Sequence, residues 1–222
     1  MLAFSSLLGN VEGQNIYRIW YDKPASYWEE ALPVGNGRIA AMVFGDPQLE
    51  QIQLNEETVS AGSPYQNYNE EAKTALPEMR RLIFEGKYEE AQNMAATKIL
   101  SQVGNEMPYQ TVGRLNIRYQ DHKKVNNYYR DLDISNAVAV TRYEVDGVEF
   151  TEETFASFTD QLVIRHIKAS KPGTINCELF FNTPMRDPKR SIYGKKGLRL
   201  EGITHGSRYF PGKVHYLSLI HI

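Results

Sequence analysis

Between Leu115 and Phe181 the chain falls into short stretches whose apolar residues recur at every second position: Leu115 to Tyr119, Ala137 to Val145, Val148 to Phe155, Leu162 to Ala169 and Ile175 to Phe181. A period of two puts alternate side chains on opposite faces of a strand, and several such stretches with turn residues between them predict a sandwich. The sharpest local constraint is Asp146-Gly147, which joins Tyr143 and Val145 to Val148 and Phe150. A two-residue hairpin turn needs positive φ angles, and Asp-Gly supplies them. Lys171-Pro172-Gly173 provides a second connection of similar kind.

Upstream, Ile16 to Tyr21 predicts a first strand and Arg38 to Phe44 a second, closed by the turn Gly45-Asp46-Pro47. Gln51 to Leu54 alternates in turn, which puts Ile52 and Leu54 on one buried face and completes a hairpin. The period then changes. Ala72, Leu76, Met79 and Ile83 fall at helical spacing up to Gly86, with Pro77 marking where the regular helix begins, and Tyr88, Ala91, Ala95 and Ile99 share a second helical face. A polar loop, Ser101 to Gly113, follows. The fold class expected is mainly β: a large antiparallel β-sandwich, or supersandwich, with a helical hairpin inserted between strands.

Charge excludes some partners. Lysine plus arginine total 25 against 27 acidic residues, a net charge of −2, so no overall field favours nucleic acid or an anionic membrane. No apolar run approaches the roughly 20 residues that span a bilayer. The single cysteine, Cys177, has no partner for an internal disulfide and reads as a core residue. The 14 tyrosines and 9 phenylalanines suit a β-rich core, and also supply the flat apolar faces on which sugars stack.

Gly35-Asn36-Gly37-Arg38-Ile39-Ala40 matches the G-x-G-x-x-A dinucleotide pattern. That pattern needs a strand before it and a helix after it, whereas here the acidic Glu29-Glu30 precedes and a strand-like run follows. Asn55 and Glu56, at the end of the predicted hairpin, are the candidates for a substrate-binding cleft loop. Paired carboxylates suit glycoside hydrolysis, but Glu56 and Glu57 are adjacent on a strand and so point to opposite faces. Glu152-Glu153 meets the same objection, and solvated or loop-capping roles are expected for these residues. His122, His166, His205, His215 and His221 lack metal-ligand spacing, so neither metal nor cofactor is expected. Arg186, Lys189, Arg190, Lys195 and Lys196 read as a solvated basic loop.

Several longer stretches carry more information than these motifs. Trp20 to Ala25 (WYDKPA), Trp28 to Gly45 (WEEALPVGNGRIAAMVFG), Gln53 to Thr58 (QLNEET), Leu76 to Ala91 (LPEMRRLIFEGKYEEA) and Tyr109 to Leu115 (YQTVGRL) resemble, in order and spacing, the N-terminal domain of glycoside hydrolase family 95. Tyr129 to Asp133 (YRDLD), Tyr143 to Phe150 (YEVDGVEF) and Phe155 to Asp160 (FASFTD) continue the likeness. Ser60 stands where tryptophan is common in that family, and Ala40 where glycine is.

The resemblance implies a multi-domain enzyme with an N-terminal β-sandwich, a helical linker, an (α/α)₆ barrel that holds the active site, and a C-terminal β domain. Its members are exo-acting, inverting α-L-fucosidases, some acting on α-L-galactosides. A barrel glutamate is the general acid, and a carboxylate with asparagines activates water. No residue of this chain corresponds to those groups, so no catalytic residue is assigned. The partners implied are a fucosylated oligosaccharide or plant or host glycan, met through a barrel absent from this chain, and that barrel itself.

The division expected is a leader or residual signal over 1–15, an incomplete sandwich domain over 16–216, and a tail over 217–222. Met1 to Leu8 is apolar and points to a secreted or periplasmic protein. Leu217 to Ile222 (LSLIHI) matches the translation of a transposase adaptor used in sequencing libraries, with a natural apolar strand as the competing reading. The fragment is expected to be inactive. A free-standing carbohydrate-binding or structural β-sandwich is the rival.

Overall fold

The computed structural model describes residues 17–62, 66–101, 107–206 and 211–221. The leader assigned to 1–15 lies outside them. The chain forms two compact units, one from residues up to Glu57 together with Thr111–Pro184, the other from Thr58–Gln110 and Met185 onward.

The first unit contains β1 (Arg18–Tyr21), β2 (Leu32–Gly35), β3 (Ile39–Val43), β4 (Leu49–Glu56), β5 (Gly113–Tyr119), β6 (Val125–Asp133), β7 (Val138–Val145), β8 (Val148–Ser157), β9 (Leu162–Ala169) and β10 (Cys177–Asn182). They make two five-stranded antiparallel sheets, ordered β1-β6-β7-β8-β9 and β10-β5-β4-β3-β2. Alternation turns Leu32, Val34, Ala41, Val43, Ile52 and Ile117 of one sheet onto Leu132 and Ala139 of the other. Burying each of the leucine, valine and isoleucine side chains stabilises by roughly 1.5–3 kcal/mol, and this shared core defines the sandwich. Cys177 packs against that core half-buried, less enclosed than expected.

The local turn readings have different outcomes. Asp146 and Gly147 take φ of 49° and 73°, and β7 pairs with β8 across them. Lys171-Pro172-Gly173 instead carries the chain from β9 in one sheet to β10 in the other, so it is not a hairpin turn. β2 and β6 were not anticipated. β6 reads VNNYYRDLD, too polar to signal a strand; its buried Arg130 and Asp131 find distant partners rather than water.

The second unit holds α1 (Ala72–Phe84), α2 (Tyr88–Met94), a π-helical turn (Ala95–Ile99), and a three-stranded antiparallel sheet of β11 (Arg186–Ile192), β12 (Gly197–Ile203) and β13 (His215–His221). The helical hairpin lies between β4 and β5 in the chain, as expected. Pro77 lies inside α1 rather than at its start. The buried stripe centres on Ala75 and Leu82, and Ile83 and Tyr88, expected on the buried faces, are 42% and 69% exposed. Among the described residues no helix is long and apolar enough to cross a membrane.

The basic segment from Arg186 to Lys196 is not a loop. Arg186, Lys189 and Arg190 lie on edge strand β11, whose bulge at Arg186/Lys189 accommodates Pro188, while Lys195 and Lys196 occupy the turn into β12. Residues 217–221 pair along β12, from Gly197↔His221 to Glu201↔Leu217.

Candidate functional site

The two positions singled out for a cleft, Asn55 and Glu56, end β4 and face Ala40 and Ile39 of β3. The Nε of Arg38 donates to Glu56 Oε1 at 3.1 Å, so this carboxylate is engaged by the turn that leads into β3. Asn55 lies on the opposite face, and its Oδ1 is buried without a hydrogen-bond donor. The expected cleft loop spans Asn55 to Ser63, and Ser63 lies outside the described residues.

The adjacent β2–β3 turn disposes of the dinucleotide reading. Asn36, 5% exposed, accepts from the backbone N–H of Arg38 at 3.1 Å and of Ile39 at 2.9 Å, so those amides are unavailable to a phosphate. Its amide donates to the Ser157 carbonyl at 2.8 Å, tying this turn to the β8–β9 turn. Gly37 takes φ of 91°, and the chain leaves it as strand β3, not as a helix. The motif is a turn-former.

The densest polar cluster is one that the sequence reading missed. Glu50, in phase with Ile52 on β4, points into the sandwich, where Arg165 of β9 donates to its Oε2 at 2.8 Å. The same guanidinium bonds Glu152 of β8 and donates to Thr154 Oγ1 at 2.7 Å. Phe44 and Gly45 give backbone N–H bonds to Glu50 Oε1 at 3.1 and 2.9 Å, and the hydroxyls of Tyr119 and Tyr143 donate to Glu152 Oε1 at 2.7 and 2.5 Å. Glu152 is therefore a buried structural carboxylate, not the solvated one expected. Glu153, on the opposite face, meets His166 at 3.3 Å near the surface.

Burial pushes the phenols of Tyr119 and Tyr143 well above their ordinary range. His122 is stacked on Tyr119 at 4.4 Å with Phe150 edge-on at 4.5 Å, and its Nδ1–H donates to the Pro47 carbonyl at 2.9 Å. Burial lowers the His122 pKa, against the opposing pull of that carbonyl. With Glu50 at 0% and Glu152 at 1% exposure, the cluster is closed to any substrate. It can join two sheets; it cannot hydrolyse a glycoside. The signal lay in the alternation, since Glu50 and Glu152 occupy positions where an apolar residue is due.

Arg130 performs a similar task for the β1–β2 connection. Wholly buried on β6, it donates from Nε to the Lys23 carbonyl at 2.8 Å and from Nη1 to the Glu30 carbonyl at 2.7 Å, with its guanidinium carbon 4.1 Å from the Tyr21 ring centroid. The connection from β1 to β2 is thus held at two points, Lys23 and Glu30, by one side chain. A groove of about 300 Å³, lined by Gln48, Arg118, Gln120, His122 and Lys123 among others, opens on the same unit and holds no paired carboxylates.

Residues 19–221 match the family described as glycosyl hydrolase family 65, N-terminal domain. The chain is 37% identical over 181 residues to alpha-L-fucosidase 2 of Arabidopsis thaliana, covering 79% of this chain and 21% of that protein. It is 26% identical over 162 residues to probable alpha-fucosidase A of Aspergillus niger, covering 68% and 20% of the two chains. The figures for probable alpha-fucosidase A of Aspergillus oryzae are 25% over 174 residues, 74% and 23%. The chain therefore spans about a fifth of the length of the curated relatives it matches.

Proposed function

Because the chain belongs to the family of glycosyl hydrolase family 65 N-terminal domains, we propose that it is the non-catalytic N-terminal β-sandwich of a family 95, inverting exo-α-L-fucosidase. The observation that carries this reading is the 37% identity to alpha-L-fucosidase 2 across 79% of the chain, confined to 21% of that protein. The carboxylates that drew attention in the sequence support a structural role. Glu56 is engaged by Arg38, and Glu152 is enclosed by Arg165 and two tyrosines. An inverting site needs two carboxylates about 6.5–9.5 Å apart and open to sugar and water, which the buried Glu50–Glu152 pair cannot offer.

In this proposal the barrel of the whole enzyme supplies acid, base and substrate contacts, and the sandwich buttresses it. The substrate is a fucosylated oligosaccharide or glycan, and the apolar segment Met1 to Leu8 fits export from the cytoplasm. The test is direct. The purified 222-residue chain incubated with 4-nitrophenyl α-L-fucopyranoside and with a fucosylated oligosaccharide gives no release above the buffer rate, whereas the whole enzyme releases β-L-fucose first, seen by proton NMR of the anomeric signal. Turnover by the chain alone overturns the non-catalytic assignment, and initial α-L-fucose from the whole enzyme overturns inversion.

A further inference from the structure

The outward face of the first sheet carries a set of side chains that the sandwich core does not require. Trp20 on β1 lies opposite Asp131 on β6, and Tyr129, two residues along β6, lies opposite Arg142 on β7. The indole and the Tyr129 ring are nearly parallel, 19° apart with centroids separated by 6.2 Å, and Trp20 is 60% exposed. A β-bulge precedes Tyr129, with Asn127 at φ 51°. Bulges re-aim side chains. Here the bulge accompanies a division of labour between consecutive tyrosines: Tyr128 bonds the Gly45 carbonyl inside at 2.6 Å, and Tyr129 joins Trp20 outside.

Beside the rings, Asp131 is 0% exposed although it lies on the solvent side of the sheet. It accepts from Arg18 Nη1 at 3.0 Å and from Arg142 Nη1 at 3.2 Å, and Arg18 Nη2 reaches Asp133 at 3.4 Å. Two guanidinium groups are thereby fixed at the margin of an aromatic surface, and their charges are matched by two aspartates. The Arg142 side chain, held through one nitrogen, is 45% exposed and keeps further donors for a ligand.

From this we propose that Trp20, Tyr129 and Arg142 form a surface binding site for a neutral glycan chain. The occupant follows from the chemistry. An exposed indole with a neighbouring parallel ring suits the C–H face of a pyranose whose hydroxyls are equatorial, and pre-fixed guanidinium donors suit those hydroxyls. Balanced charge gives no preference for uronates or sulfated sugars. The site stands whether or not the parent enzyme is a fucosidase, since it uses none of the catalytic assignment.

Affinity electrophoresis of the 222-residue chain tests it, using native gels cast with hydroxyethylcellulose as the neutral β-glucan and carboxymethylcellulose as its anionic counterpart. The chain is retarded in the neutral gel. Trp20→Ala lowers the binding constant by at least about tenfold, as loss of a central aromatic anchor does. Arg142→Gln lowers it by about threefold or more, in line with loss of one charge-assisted bond. Trp28→Ala, on the β1–β2 connection, retains the retardation, and circular dichroism verifies that each variant is folded. Absence of retardation in the neutral gel, equal retardation of wild type and Trp20→Ala, or stronger retention by the anionic gel overturns the proposal. Sedimentation showing that the wild type dimerises and Trp20→Ala does not would assign the face to self-contact and also overturn it.

Discussion

Replacing Arg165 with methionine removes the cation from a site where two carboxylates have almost no contact with water. The side chains are 7% exposed for Arg165, 0% for Glu50 and 1% for Glu152. Breaking a buried ion pair by deleting one partner costs about 3–5 kcal/mol, because the remaining charge stays desolvated. Glu50 keeps its two backbone N–H donors and Glu152 its two tyrosine hydroxyls, so the expected loss lies near the lower end, about 3 kcal/mol. Arg118→Met is the control. It breaks the Arg118–Glu178 pair, whose side chains are 50% and 53% exposed, and should cost under about 1 kcal/mol. Urea unfolding followed by tryptophan fluorescence reads the right part of the molecule, since both tryptophans, Trp20 and Trp28, belong to the compact unit that contains the cluster. A second Arg165→Met comparison in a Glu50→Gln, Glu152→Gln background should cost about 2 kcal/mol less, as expected of side chains coupled through one network. If Arg165→Met costs no more than Arg118→Met, or costs the same in both backgrounds, the cluster does not hold the sheets together electrostatically.

Two further perturbations probe the same unit. Gly45 takes φ of 75°, and a Cβ there would lie 2.8 Å from both Arg130 Cδ and the Tyr128 hydroxyl, so Gly45→Ala should lose about 2–4 kcal/mol by urea titration. Gly147→Ala, with similar φ but open space, should lose only about 1–2 kcal/mol, and equal losses would refute the role given to the close approach. Because burial lowers the His122 pKa, the unfolded chain takes up a proton near pH 6.5 before the folded chain does. Stability is therefore full above that pH and falls below it, by at most about 1.4 kcal/mol per pH unit. His122→Phe, which keeps an aromatic ring against Tyr119, should flatten this slope between pH 6.5 and 5, and an unchanged slope would refute its origin in His122.

What could be read from the sequence was whatever depends on near neighbours. The Asp146-Gly147 hairpin, the β3–β4 hairpin and the helical hairpin are each specified within a few residues, and all are present. β6 escaped because Arg130 and Asp131, polar in the sequence, find their partners about 100 residues away: the Lys23 and Glu30 carbonyls for Arg130 and the Arg18 guanidinium for Asp131. Glu50 and Glu152 escaped for a related reason: a charge at an inward position looks like an error of phase until its partner on the other sheet is known. The basic stretch at β11 was read as a loop because Pro188 and the charges suppress strand character, which an edge strand tolerates. At the cleft candidates the sequence grouped Asn55 and Glu56, which take opposite faces of β4, and the Arg38–Glu56 pair could not be foreseen because it needs the pairing of β3 with β4.

The pairing of β1 with β6 also bears on the order in which the protein is made. Among the described residues β1 has β6 as its one strand neighbour in its sheet, and Arg18 meets Asp133 across a separation of 115 residues. At 5–20 residues per second, a ribosome needs about 5–21 s to reach β6 after finishing β1. Throughout that interval Ile19, Trp20 and Tyr21 have no sheet to join, and the Lys23 and Glu30 carbonyls lack the guanidinium that later holds them. β1 thus waits for a strand made about 100 residues later, and until then Ile19, Trp20 and Tyr21 remain an unpaired aromatic segment of the nascent chain.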